Sequence, residues 1–122
     1  MIQDSVIFFN SNSNKKMIFN HYSYCEFVKW NMVKYANLTY EQASDKVNGS
    51  FLSNKIENEH DVYYLTRELP YHWAMILAHG ELYWHRGIPY PEPCPIEDTK
   101  KWEQGLAQKY NLKMEDVEDC PL

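Results

Sequence analysis

A chain of 122 residues, 44% apolar and 24% charged, is the size of one domain and long enough to bury a core without a metal or disulfide frame. Its formal charge of −5 is unevenly placed: residues 1–56 hold six Lys against four Asp/Glu, and residues 57–122 hold six Lys/Arg against thirteen Asp/Glu. An acidic half repels phosphate, which argues against a nucleic-acid partner, and no apolar run approaches the roughly 18 residues that span a bilayer.

Val6-Ile-Phe-Phe9 is a short apolar burst, and the run Asn10-Ser-Asn-Ser-Asn14 behind it is built from turn formers. The burst is too short for periodicity to separate strand from helix, so residues 1–20 read as an N-terminal arm or loop with room for one short strand. From His21 to Ala36 the pattern is helical: Tyr22, Cys25, Val28, Met32 and Tyr35 recur at three- and four-residue steps, and Asn37-Leu38 ends the run. Thr39-Tyr-Glu-Gln42 has the form of a capping box for a second, short helix, and Asn48-Gly49 offers it a left-handed stop. Ser50 opens a further turn with Phe51 and Leu52.

Residues 59–79 are helical again, with Val62, Leu65 and Leu69 on one side and Trp73, Ile76 and Leu77 following. Pro70 divides them, since it lacks an N–H and suits the first position of a helix, and Gly80 stands where the second helix needs a stop. Glu81–Gly87 reads as a short strand or an extended loop. Pro89, Pro91, Pro93 and Pro95 alternate, making residues 88–95 an extended, Pro-rich connector. A last long helix spans Ile96–Tyr110, with Glu97 and Asp98 at its positive end, Trp102, Leu106 and Tyr110 as its stripe, and Asn111 closing it. Met114–Val117 adds one turn before an acidic tail over residues 114–122. The fold class is therefore mainly α: a single domain, about five helices around an aromatic-rich core, with one optional strand or hairpin near Val6–Phe9 or Leu82–Trp84.

Few chemical signatures stand out. Cys25, Cys94 and Cys120 are odd in number and widely spaced, with no CxxC pair, and the N-terminus lacks the pattern of a signal peptide; both point to a reduced, cytoplasmic setting. Cys25 lies on the first helix's apolar stripe and reads as core, whereas Cys94 sits between prolines without a recognised nucleophile signature. Gly49, Gly80, Gly87 and Gly105 are too dispersed for a phosphate-binding loop, and no cofactor is expected. Ten Asn with many Lys, Tyr and Ile suit an AT-rich genome, bacterial or phage.

Two regions carry the remaining interest. His72, His79 and His85 with Glu68 and Glu81 supply the nitrogen and carboxylate ligands of a zinc or iron site. His72 and His79 are seven apart, about 10 Å along a helix, too far to share one ion directly. The other region is Tyr83-Trp84-His85-Arg86 with Tyr90, whose residue types anchor protein interfaces. With 10 Tyr, 5 Phe and 4 Trp in the chain, rings serve either a core or a binding face. The function favoured is a small non-enzymatic regulator or adaptor that binds another protein, in the manner of phage accessory or toxin-neutralising proteins. A metal-assisted hydrolase built on the His/Glu cluster is the alternative. Partner identity and oligomeric state are not set by the sequence.

Overall fold

The computed structural model describes residues 2–10, 14–90 and 96–121. Among the described residues are five α-helices: α1 (His21–Ala36), α2 (Tyr40–Asn48), α3 (Glu59–Thr66), α4 (Pro70–His79) and α5 (Ile96–Tyr110). Two 3-10 turns, Phe51–Ser53 and Tyr83–Arg86, and three strands, β1 (Val6–Asn10), β2 (Lys15–Phe19) and β3 (Val117–Pro121), complete it. The fold is mainly α with a small antiparallel sheet of order β1-β2-β3, pairing Val6 with Phe19 and Lys15 with Pro121.

The sheet takes up one expectation and corrects another. Val6–Asn10 and Lys15–Phe19 pair as the hairpin that the N-terminal segment has room for. Val117–Pro121 is a strand, where a helical turn and an acidic tail are expected. The reason is non-local: β3 finds its partner about a hundred residues upstream, where β2 turns Met17 and Phe19 inward and leaves an edge to be paired. Asn20 secures this junction. Its buried side chain accepts from the Ser5 amide at 3.2 Å and donates to the Glu115 carbonyl at 2.8 Å and to Glu118 at 3.0 Å. Asn20 does not cap α1 through its side chain. Asp4 does so from a distance, accepting from the Ser23 amide and hydroxyl at 2.7 Å each. The Ser23 hydroxyl in turn accepts from the Lys113 amide at 2.8 Å, so both chain ends meet at the start of α1. Burial there pushes the Asp116 carboxyl up to about 6, with Glu115 adding to the shift.

α1 lies at the centre, with α2 and α4 packed on it, and it is buried nearly all round. Cys25, Val28 and Met32 face the core as their spacing predicts, and Phe27, which widens that stripe, is buried too, but Tyr22 is 42% exposed and Tyr24 is buried instead. A central helix has no single wet face, so an apolar stripe does not locate its interior. Asn37 stops it in the left-handed region, its amide returning to the Met32 carbonyl. The Thr39–Gln42 capping box is formed in both directions. Gly49, however, ends α2 at φ −85°, so the stop is not left-handed. Ser50 then caps the next turn and drives Leu52 fully into the core.

The break at Pro70 is where ring hydroxyls and N–H groups enter the backbone accounting. α3 ends at Thr66, Leu69 is 48% exposed rather than part of the stripe, and α4 starts on Pro70. Carbonyls left without helical donors are taken by the core: Tyr24 reaches Leu65 and Glu68 at 2.8 and 2.6 Å, and the Trp73 indole donates to Leu65 at 2.8 Å. Residues Glu81–Gly87 are neither strand nor open loop. Leu82 at φ 60° and Gly87 at φ 86° bracket a tight 3-10 turn. α5 packs Leu106 with Phe27 and Leu112 in a second small cluster, while Tyr110 is 40% exposed and stacks on Trp30. The prolines at 91, 93 and 95 and Cys94 lie outside the described residues.

Candidate functional site

The 3-10 turn at Tyr83–Arg86 folds back on α4 and builds a pile of rings. Tyr83 is fully buried, its hydroxyl 2.8 Å from His72 Nδ1, and burial raises its pKa far above the ordinary phenol value. Tyr83 is therefore part of the core, with its hydroxyl engaged by His72. His72 is buried beside it, with Nε2 3.9 Å from Glu68. Above them Trp84 is half-buried and meets Tyr90 with ring centroids 4.7 Å apart, and Tyr90 is 49% exposed. His85 and Arg86 are exposed, and the Arg86 guanidinium donates to the carbonyl of His79. Leu82, before the turn, sits in the left-handed region that costs a branched side chain about 1–2 kcal/mol. The turn is held in place by this pile rather than by local preference.

Of the residues considered as metal ligands, the structure draws together His72 and Glu68. His79 is half-buried at the end of α4, and Glu81 and His85 are exposed. Among the described residues no three His, Cys, Asp or Glu side chains converge as a metal site would require.

A second region carries no motif in the sequence. A cleft of about 680 Å³ runs along α1, and its helical wall carries His21, Tyr22, Cys25, Glu26 and Lys29. Asn48, Ser53, Asn54, Lys55 and Ile56 line it as well, together with Ile2, Gln3 and Val6. His21 is buried and stacks on Phe19 at 5.3 Å. Its Nε2 lies 2.7 Å from the Leu52 carbonyl, which only accepts, so that nitrogen carries the proton. Burial lowers the His21 pKa despite this bond and the charge of Asp4. Cys25 Sγ reaches the same carbonyl at 3.5 Å, and burial pushes its thiol up to about 12. His21 and Cys25 therefore clamp the Phe51–Ser53 turn to α1 and do not form a nucleophile–base pair.

Deeper along the wall, Glu26 is held from two sides. The Tyr40 hydroxyl donates to Oε1 at 2.7 Å, and the Lys29 ammonium pairs with Oε2 at 2.8 Å. Both charged side chains are about nine-tenths buried, at 6% and 11% exposure. Burial works to lower the Lys29 pKa, but the carboxylate outweighs it and the net shift is upward, so the ammonium stays charged. The sequence signal for this wall is the four-residue step His21, Cys25, Lys29, which puts three functional groups on one strip of a helix. A neighbouring depression of about 920 Å³, with Phe51, Tyr64, Glu57 and Asp61 in its lining, shares Asn54–Ile56 with the cleft.

No helix among the described residues is long and apolar enough to cross a membrane. No protein-family model, curated protein or solved structure is significantly similar to this chain.

Proposed function

We propose that this is a small non-enzymatic protein that binds another protein through the outer end of the aromatic pile, where Trp84 and Tyr90 are flanked by His85 and Arg86. The observation that carries the reading is the contrast in one short turn. Tyr83 is wholly satisfied inside, and the next rings outward are packed on it yet remain partly open to water. Rings fixed in this way lose little further freedom on binding, which is what makes Trp, Tyr and Arg effective interface anchors. Arg86 retains donors beyond its bond to His79, because a guanidinium has five. The partner surface this face suits is an apolar patch edged by carboxylates.

The test is a photocrosslinking residue placed at His85 and, as control, at exposed Glu41 on α2, in cells of the organism that encodes the protein. A discrete protein adduct at position 85, absent at 41 and lost with Tyr90→Ala, is the expected result. No adduct at 85, or the same adducts at both positions, overturns the proposal.

A further inference from the structure

We infer that the cleft along α1 is a binding site for a small organic anion with an apolar body, with Lys29 and Lys55 receiving the charge and Ile2, Val6 and Ile56 receiving the body. The site is separate in composition from the aromatic pile and does not depend on the protein-binding reading.

The volume comes first. About 680 Å³ lies within the range of small-molecule sites, which are concave, part apolar and equipped with a few fixed polar groups. The polar groups here are fixed. Glu26 and Lys29 are buried on one helix wall, and Tyr40 holds the carboxylate from behind. Building a buried ion pair costs desolvation that a hydrophobic pair would avoid, so it is weak evidence for stability and needs another account. A ligand site supplies one.

The sign of the ligand follows from counting the charges in the lining. Lys29 and Lys55 are cationic, Glu26 is anionic, and His21 is kept neutral by burial, so the lining is net positive in a chain whose formal charge is −5. The charge of Glu26 is compensated by Lys29 at Oε2, which takes no hydrogen bond, and Tyr40 donates to Oε1; the Lys29 ammonium, which also lies over the Tyr40 ring, has three donors and meets Glu26 through one oxygen. Lys55 is exposed at the rim, where it adds attraction without obstructing entry. Asn48, Ser53 and Asn54 offer neutral hydrogen-bonding groups alongside. A cation would meet two ammonium groups. A fully polar ligand would make no use of the exposed parts of Ile2, Val6 and Ile56, which are half-buried against the core.

The test uses a panel of aryl and alkyl carboxylates, each compared with the uncharged amide and the amine of the same skeleton, read by methyl and amide chemical shifts. The expected result is that carboxylates shift the Ile2, Val6 and Ile56 methyl signals and bind at least about tenfold tighter than their amides, with amines weakest. Lys55→Glu, at an exposed position, should cut carboxylate affinity about tenfold and leave the melting temperature unchanged. The inference fails if no carboxylate perturbs those methyls, if the three charge classes bind alike, or if Lys55→Glu leaves affinity intact.

Discussion

The two histidines buried deepest in this protein mark two different kinds of interior. His72 sits among rings: Tyr83, Trp84 and Tyr90 surround it, Tyr83 occupies one nitrogen, and Glu68 stands near the other. That region is closed at its base and open only at its outer rings. His21 sits on the edge of a cavity, one nitrogen committed to Leu52, with Glu26 and Lys29 buried further along the same wall. One region spends its polar atoms on holding aromatic area together; the other keeps charge beside empty volume. A buried histidine thus says nothing of function until its neighbours are known.

Truncating the closed region should hurt most. Tyr83→Ala removes a fully buried ring and strands His72, and about 4 kcal/mol of stability should be lost in chemical denaturation. A loss below about 1 kcal/mol would mean the pile is not core. Next comes the charged wall. Lys29→Met leaves the Glu26 carboxylate buried without its cation and should cost about 3 kcal/mol, whereas the double change Glu26→Gln/Lys29→Met should recover most of it. If the double variant is as unstable as the single, the methylene packing of Lys29 matters and its charge does not.

Acid should separate the regions further. Burial keeps His21 neutral in the folded protein, while the unfolded chain protonates near its ordinary value of 6.5. The stability linked to His21 is therefore complete above that value and drains as pH falls from it toward the lower folded-state value. His21→Gln keeps a donor for Leu52 and cannot titrate. From about pH 7.5 to about 5.5, wild type should lose more stability than His21→Gln does. Parallel melting curves would show that His21 is not held neutral. The smallest effect on stability belongs to Tyr90→Ala, under about 1 kcal/mol because half the ring is already in water, even as it removes the crosslink at position 85. A larger loss would move Tyr90 from interface to core.

Local grouping of the candidate residues is legible in the sequence, and their enclosure is not. Trp84, His85, Arg86 and Tyr90 stand out as an aromatic and basic cluster after a glycine stop, and they lie together at the outer end of the pile. Tyr83 belongs to the same tetrapeptide but turns inward, because a 3-10 turn sends its successive side chains in different directions. The cleft was hidden for a different reason. His21, Glu26 and Lys29 look like the polar positions of a solvated helix, and segments distant in the chain bury them: residues 2–6, Tyr40 of α2 and residues 48–56.

By itself the sequence determined the helices. The bounds of α1, α4 and α5, the Thr39–Gln42 cap and the division at Pro70 all follow from periodicity, capping and proline geometry, which act within a few residues. Tertiary structure decided the rest. Strand β3 exists because β2 offers it an edge, Tyr22 is wet because α1 is surrounded on its other sides, and the charged wall is a cleft because two distant segments enclose it. Backbone hydrogen bonds within a helix are short-range and leave a periodic trace; pairing and enclosure join residues far apart in the chain, and no window of sequence contains both partners.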